Sequence, residues 1–421
     1  MFEWSETDEM IRASVREFID KEVRPHLDEL EHGDLPPYDI MRKLFADFGI
    51  DVMAGEAVDK MLAKQQAKAD RIAAGEPAPE KKRSDKSKGG NPLAAQGSMA
   101  AVLVSELTGV TLGSVAAVGV SLGLGAATIA ARGTLAQKQR WLKDIVTLKK
   151  VAAWAITEPD SGSDAFGGMK TYVKRDGEDY ILNGQKTFIT NGPFADTVVV
   201  YAKLDEGDGA DKRDRKVLTF VLDKGMEGFT QGKPFKKMGM HSSPTGELFF
   251  DNVRLSKDRL LGETEDHKGG DGRESARSSF IVERVGCAIL SLGIINECHR
   301  LCIDYAKSRK LWGQEIGRFQ LVQLKLAEME IARLNVENMV FNALESFAAG
   351  KTPTLAQASA MKLYSTRAAT DVAMEAVQLF GGNGYMAEYR VEQLARDAKS
   401  LMIYAGSNEI QVTHVAKGLL A

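Results

Sequence analysis

The sequence has few cysteines and little net charge. Only three of its 421 residues are cysteines, namely Cys287, Cys298 and Cys302, and all three lie within one short stretch. An odd, clustered set is a poor disulfide framework and fits a reducing compartment. The formal net charge of −3 gives no indication of a nucleic-acid partner or an anionic membrane surface. No further Cys or His near Cys298, His299 and Cys302 completes a tetrahedral set, so we predict no metal site.

Apolar runs of the kind that direct a chain to membranes are also scarce. The N-terminus is acidic and lacks an apolar segment, so we expect no secretory signal and a cytoplasmic protein. One stretch between Glu106 and Arg132 has 25 residues without a charge, which is long enough to cross a bilayer. It is rich in Gly, Ala, Ser and Thr, stands alone and has no aromatic belt. We therefore predict buried helices with small-residue contacts rather than a membrane span.

Hydrophobic spacing divides the chain into three parts and predicts an α+β protein. Residues 1–150 are predicted to be helical, with a charged, Pro/Gly-punctuated insertion at about 51–97 whose later part is predicted to be a mobile surface loop. Residues 151–262 alternate with period two and predict an antiparallel barrel or sandwich. Residues 275–421 return to a helical period and predict a C-terminal helix bundle.

The predicted β domain contains two features of interest. Asn183-Gly184 is typical of a two-residue hairpin turn between strands. A few residues later, Phe188 and Thr190 are two positions apart and so share one face of a strand. An aromatic ring and a hydroxyl so placed suit a flat heteroaromatic ligand, because one stacks and the other hydrogen-bonds its edge.

Five motifs in order resemble the acyl-CoA dehydrogenase family. They cover nearly the whole chain, with residues 51–97 as the main departure, and the family's α–β–α architecture matches the predicted order. The motifs are AITEPDSGSDAFG (155–167), LNGQKTFITNG (182–192), YAKSRKLWGQEIGRFQ (305–320), QLFGGNGY (378–385) and IYAGSNEIQ (403–411).

The resemblance implies FAD as the cofactor and assigns residues to it. Thr157 and Ser163 would contact the flavin and its ribityl-pyrophosphate arm, and Thr190 would hydrogen-bond the flavin near N5. Phe188 stands where the family usually has Trp, so it keeps a stacking face and loses an indole donor. The complete predicted cofactor-binding set is Trp154, Ile156, Thr157, Gly162, Ser163, Phe188, Thr190, Arg309, Gln320, Gln378, Gly381, Gly382, Ser407 and Glu409.

The position of the catalytic base distinguishes branches of the family. Many members carry it as the Glu of a Tyr-Glu-Gly motif, but this chain has Tyr404-Ala405-Gly406, and alanine cannot accept a proton. In the isovaleryl-CoA and long-chain branches the base instead precedes an arginine on a helix, which corresponds to Glu283 here. We therefore predict Glu283 as the base, with its pKa raised by burial toward the working pH. The alternative interpretation is a helix-start glutamate favoured by the macrodipole.

The resemblance also implies the remaining substrate contacts and the partners. Ser163, Arg284, Ala405 and Gly406 would contact the acyl-CoA, with the backbone N–H of Ala405 polarising the thioester carbonyl. An electron-transferring flavoprotein is the expected electron acceptor, and a homotetramer is expected because Arg309 and the 378–382 loop reach a neighbour's FAD. Two alternatives share this fold: a flavin oxidase or monooxygenase, and one subunit of a heteromeric steroid-side-chain dehydrogenase.

Overall fold

The computed structural model describes residues 4–75, 92–209, 211–266 and 271–421. Helices occupy both ends of the chain and strands occupy its middle, as the sequence predicts. The helices are α1 (Glu6–Phe18), α2 (Leu27–Glu31), α3 (Tyr38–Asp47), α4 (Ile50–Ala73), α5 (Pro92–Gly119), α6 (Ala127–Arg132), α7 (Leu135–Val146), α8 (Gly272–Ser308), α9 (Gln320–Ala348), α10 (Leu355–Phe380), α11 (Val391–Leu401) and α12 (Asn408–Leu420). The strands are β1 (Ala152–Ala155), β2 (Tyr172–Asp176), β3 (Asp179–Thr190), β4 (Thr197–Leu204), β5 (Val217–Asp223), β6 (Phe229–Gln231), β7 (Thr245–Leu255), β8 (Lys310–Leu311) and β9 (Gln314–Glu315).

Helix α1 begins where its sequence provides a cap. The Ser5 hydroxyl accepts a hydrogen bond from the Asp8 N–H, and the Asp8 side chain accepts one from the Ser5 N–H, which forms a capping box. Between α3 and α4, Gly49 adopts φ +64°, so it ends the first helix and starts the next without steric strain. The predicted insertion at 51–97 begins as helix α4. The predicted loop in its later part falls largely on residues 76–91, which lie outside the described residues.

The long uncharged segment is helical, with a kink at Thr111, whose φ is −148° and ψ is 77°, and a π-helical turn at Val120–Ala126. Its glycines allow close backbone approach, as predicted: a Cβ on Gly113 would lie 2.4 Å from Ser242 Oγ, and one on Gly125 would lie 2.7 Å from Ala152 Cβ. By length and composition alone, 97–132 and 279–308 are apolar enough to cross a membrane, and 56% and 50% of their windows are buried inside the protein. Core helices of a folded domain have these same properties.

The central sheet has seven strands in the order β1-β4-β2-β3-β7-β6, and β5 pairs with β4. It is a mixed sheet, because β1 and β2 both run parallel to β4 whereas the remaining pairs are antiparallel. Strand β4 is buried along its whole length, which explains its unbroken apolar sequence TVVVYA.

The prediction of a hairpin turn at Asn183-Gly184 is wrong. Both residues lie inside β3, at a register shift between Leu182 and Gly184 against β7. Gly184 adopts φ +144° there, and a Cβ on it would lie 2.5 Å from Thr171 Oγ1, so the glycine serves a bulge and a close strand approach. The turn that joins β2 to β3 lies at Gly177, whose φ is +65°. Asn-Gly favours both structures, so local composition did not separate them.

Helix α8 organises the C-terminal helices. Its 37 residues pack against α5, α9 and α10, and α10 packs in turn against α11 and α12. Cys287, Cys298 and Cys302 are free thiols on α8, and all three are buried in the core. Among the residues that the structure describes, no group of His, Cys, Asp and Glu is arranged to hold a metal ion.

Candidate active site

Glu283 lies on α8 next to the last sequence motif. The side chain is half-buried. Burial raises the pKa of its carboxyl to about 7, while the nearby cations of Arg284 and Lys362 act in the opposite direction. The Glu283 charge adds to the effect of burial in raising the pKa of Cys287 and of Tyr404, so both side chains lie close to it. A carboxyl group with a pKa near neutrality can exchange protons at physiological pH.

The loop that follows Tyr404 has an unusual backbone. Ala405 and Gly406 adopt φ of +57° and +82°, two consecutive left-handed residues. Their carbonyl groups are held by side chains from two helices: Gln411 Nε2 donates to Ala405 O at 3.2 Å and to Gly406 O at 2.7 Å, and Lys362 Nζ donates to Gly406 O at 2.6 Å. In the described part of the chain, the Ala405 N–H donates to no protein acceptor. This N–H is therefore available to a ligand oxygen.

Arg284 supports this loop from the side of α8. The residue is 2% exposed, and its guanidinium donates to Ser359 Oγ at 2.9 Å and lies 5.7 Å from the ring centroid of Phe280. A Cβ on Gly406 would lie 3.8 Å from Arg284 Nη2, so the two residues are neighbours. Arg284 thus lies between α8 and the loop of Ala405 and Gly406, and its contact with substrate stays a prediction.

Phe188 and Thr190 form the second part of the predicted site. A bulge between Lys186 and Ile189 gives Phe188 a φ of +56°, and Ile189 then points into the core. Phe188 is 68% exposed, and the ring of Phe235 lies beside it with 5.8 Å between the ring centroids. A bulky residue in a left-handed conformation is strained, and such strain is found at functional sites.

The loop after β1 is fixed at its base and open at its tip. Lys186 Nζ donates to Ile156 O at 2.9 Å, and the Thr187 N–H donates to Thr157 O at 2.9 Å. Gly162 and Ser163, at the tip, are exposed. A rigid base with exposed small and hydroxyl residues fits a ligand that lies across this edge of the sheet.

Trp154, on β1, is predicted to bind the cofactor, and its side chain packs on Tyr201 of β4. The indole packs edge-on against Tyr201, with 5.3 Å between the ring centroids. Its Nε1 is buried and has no acceptor among the described residues. The contact of Trp154 with the cofactor stays a prediction.

A separate group of predicted residues lies at the other end of α8. Arg309 follows the helix and is exposed, and Gln320 is exposed at the start of α9. The 378–382 segment, predicted as a loop, is instead the end of α10 and the start of a 3-10 turn, and it lies near Arg309 because Tyr305 stacks on Phe380 with 4.0 Å between the centroids. From Glu283 to Arg309, α8 rises about 39 Å at 1.5 Å per residue. The structure therefore does not bring these residues together with Glu283 in one chain.

Ser407 and Glu409 complete the predicted set. Ser407 precedes the first turn of α12 and Glu409 is exposed within that turn. The negative charge of Glu409 acts on Lys362. Their contacts with a cofactor stay predictions.

Two buried residues at the site were missed by sequence reasoning, namely Lys362 and Gln411. Lys362 is fully buried on α10, in register with Ser359, Thr366 and Ala369 on the buried face. A lysine in the buried phase of a helical period is rare enough to be noticed without a structure. Gln411 was quoted within the last motif but given no role.

Comparisons with known proteins cover the whole chain. Family models match residues 5–57 (acyl-CoA dehydrogenase, N-terminal domain), 153–253 (middle domain) and 270–420 (C-terminal domain). The caffeyl-CoA reductase-Etf complex subunit CarC of Acetobacterium woodii is 32% identical over 99% of both chains. The chain belongs to the acyl-CoA dehydrogenase family.

Solved structures of other acyl-CoA dehydrogenases agree with this assignment. Butyryl-CoA dehydrogenase from Megasphaera elsdenii has a TM-score of 0.82 and 30% identity, over 100% of both chains. A glutaryl-CoA dehydrogenase from Mycobacterium smegmatis in complex with FADH2 has a TM-score of 0.80 and 25% identity, over 99% of this chain and 95% of that one. As in other acyl-CoA dehydrogenases, the cofactor is FAD.

Proposed function

We propose that the protein is an FAD-dependent dehydrogenase that oxidises the α,β-carbon bond of an acyl-CoA thioester, with Glu283 as the base. One observation carries the proposal: a carboxyl whose pKa is about 7 lies beside a loop whose Ala405 N–H is free to bind an oxygen. This loop carries alanine where many relatives carry the base, so the carboxylate of Glu283 supplies what Ala405 lacks.

The reaction requires the α-carbon to lose a proton and the β-carbon to lose a hydride. Glu283 takes the α-proton, since its ionised form is available at a pH near 7. The Ala405 N–H stabilises the negative charge that develops on the thioester oxygen, and a backbone donor does so whatever side chain the residue carries. Bound FAD supplies the hydride acceptor, and the product is the trans-2-enoyl thioester.

The chain offers residues that fit the cofactor. The exposed face of Phe188 would lie against the flavin, and Thr190 would bind its edge. Thr157, Gly162 and Ser163 would hold the flavin and its phosphate-bearing arm at the tip of the first-motif loop. The strained Phe188 backbone and the fixed base of that loop support this assignment.

The partners follow from the same reasoning. An electron-transferring flavoprotein is the proposed electron acceptor, supported by the association of the relative CarC with an Etf complex. Buried free thiols on α8 support a reducing, cytoplasmic location. The base position suggests the isovaleryl-CoA or long-chain branch, without fixing the acyl chain.

We also propose a homotetramer in which Arg309 and the 378–382 segment bind the FAD of a neighbouring subunit. Arg309 is about 39 Å along α8 from Glu283, so it is positioned for another chain's site rather than its own. The end of the molecule around Arg309 carries exposed apolar side chains, including Trp312 at 87% and Leu321 at 75% exposure. Such side chains are typical of surfaces covered by another subunit.

Glu283→Gln tests the base, because it keeps the size and hydrogen bonding of the side chain and removes its proton affinity. We expect the rate of flavin reduction by acyl-CoA in a stopped-flow experiment to fall at least ~10³-fold, with FAD content unchanged. Glu297→Gln is the matched control, since Glu297 lies on the same helix in an ion pair with Arg300 and outside the site. A Glu283→Gln enzyme that reduces its flavin at a near-native rate would mean that the base lies elsewhere.

A further inference from the structure

Lys362 on α10 is a fully buried ammonium beside the proposed base. Its Nζ donates to Gly406 O at 2.6 Å, and Asn408 Oδ1 lies 3.5 Å away. Both acceptors are neutral, and Asn408 Oδ1 also accepts a hydrogen bond from Thr366 Oγ1 at 3.1 Å. No ion pair involving Lys362 is found within the described ranges. A buried charge without an ion pair is unfavourable, so holding one carbonyl does not account for the ammonium.

The titratable groups that face Lys362 come from two helices. Helix α8 contributes Glu283, Arg284 and the Cys287 thiol, and α12 contributes Glu409. His414, also on α12, faces Arg284 and not Lys362. Glu409 is exposed to solvent, where its charge is screened. Glu283 is therefore the carboxyl group on which the Lys362 charge acts most directly.

We propose that Lys362 is a positioning residue with two roles: it fixes the loop of Ala405 and Gly406, and it keeps Glu283 ionised. The inference rests on the proposed function, because it assumes that Glu283 takes the α-proton. The first role follows from geometry: Lys362 and Gln411 together turn the Gly406 carbonyl toward the helices. The left-handed pair Ala405-Gly406 is thereby held with the Ala405 N–H unpaired.

The second role follows from the balance of charges around Glu283. Burial favours the protonated acid, and the Arg284 and Lys362 cations favour the carboxylate. The pKa of about 7 reflects both effects, so loss of the Lys362 charge moves it upward. Glu283 would then be mostly protonated at neutral pH and could not accept the α-proton.

Three substitutions separate the two roles. Lys362→Gln keeps a donor for Gly406 O without charge, Lys362→Met removes both, and Lys362→Arg keeps both. Flavin reduction at saturating acyl-CoA is measured from pH 5.5 to 9, where the wild-type rate rises through about 7 as Glu283 loses its proton. We expect Lys362→Gln to move this limb upward by about one pH unit, so that the rate below it falls about tenfold. Lys362→Arg should leave the limb in place.

Lys362→Met should move the limb as Lys362→Gln does and also lower the rate at high pH, because the loop loses a donor. Lys138→Gln is the matched control for a lost buried lysine, since Lys138 donates to Gln65 in the N-terminal helices, away from the site. Its limb should coincide with that of the wild type. If Lys362→Met does not fold, the Gln and Arg variants alone decide the question.

The proposal is overturned if Lys362→Gln leaves the limb at its wild-type position, or if Lys362→Arg moves it as far as Lys362→Gln does. That result is distinct from a failure of the proposed function. If only the proposal for Lys362 fails, Glu283→Gln still abolishes flavin reduction. If the proposed function fails, Glu283→Gln stays active whatever residue stands at position 362.

Discussion

The most testable element of the proposed flavin site is the buried ion pair beneath it. Lys186 is 0% exposed and donates to Glu158 Oε1 and to Ile156 O, both at 2.9 Å. Glu158 accepts further hydrogen bonds from the N–H groups of Lys170 and Thr171. Burial acts to raise the pKa of Glu158, but Lys186 and these donors outweigh it and the pKa is lowered. The pair joins the end of β1 to β3.

Lys186→Met keeps the length of the side chain and removes its charge. Glu158 then stays buried without a cation, which typically costs about 3–5 kcal/mol. At about 2.1 cal/mol/K of unfolding entropy per residue, a chain of 421 residues loses about 1 °C per kcal/mol, so the melting temperature should fall by roughly 3–6 °C. FAD should also be lost more readily on dilution, because Ile156 begins the loop that is proposed to hold it.

Lys203→Met is the matched control for this measurement. Lys203 is also buried, in β4 of the same sheet, but it donates to the neutral Gly167 O at 3.0 Å. No charge is stranded when it is removed, so the cost should be only about 1–3 kcal/mol. The double variant Glu158→Gln/Lys186→Met should recover at least half of the loss, because its buried groups are neutral. Equal melting temperatures for Lys186→Met and Lys203→Met would refute the argument.

Two further predictions concern the base and the assembly. Glu283→Gln combined with Ala405→Glu should recover part of the flavin reduction that Glu283→Gln loses. Its chain-length preference across acyl-CoAs should change, since the two carboxylates would occupy different parts of the pocket. No recovery would mean that residue 405 does not face the α-carbon. Arg309→Gln should lower FAD occupancy at least several-fold at equal melting temperature of the apoprotein, because the guanidinium is exposed and proposed to bind a neighbour's pyrophosphate; full occupancy, or a monomer by light scattering, would contradict the proposed assembly.

Much of the architecture was predictable because hydrophobic period and caps are local properties. The capping box at Ser5 and strands β3, β4 and β5 appear where alternation and β-branched residues predict them. Strand β2 was missed because its sequence, YVKRD, is mostly exposed and charged. The parallel pairing of β1 with β4 was not predictable, because register across distant segments is decided by tertiary packing.

In the candidate active site, too, some residues could be predicted from the sequence and others could not. Glu283 could be predicted as the base from the sequence, because the resemblance implies a base at this position where alanine stands at residue 405. Lys362 and Gln411 could not be given roles in this way, since their function depends on which carbonyls a distant loop presents to them. The bulge that exposes Phe188 was also hidden, because a regular strand and a bulged one have the same composition.

Helix α8 carries Glu283 near one end and Arg309 just beyond the other, so in the proposed tetramer each subunit would contribute to two different active sites. This has a consequence for mixed assemblies of impaired variants. When a Glu283→Gln subunit is paired with an Arg309→Gln subunit, one shared site receives both defects and the other receives none. Coexpression of the two variants would therefore give an intact site that neither variant has alone, as in complementation between two alleles of a single gene.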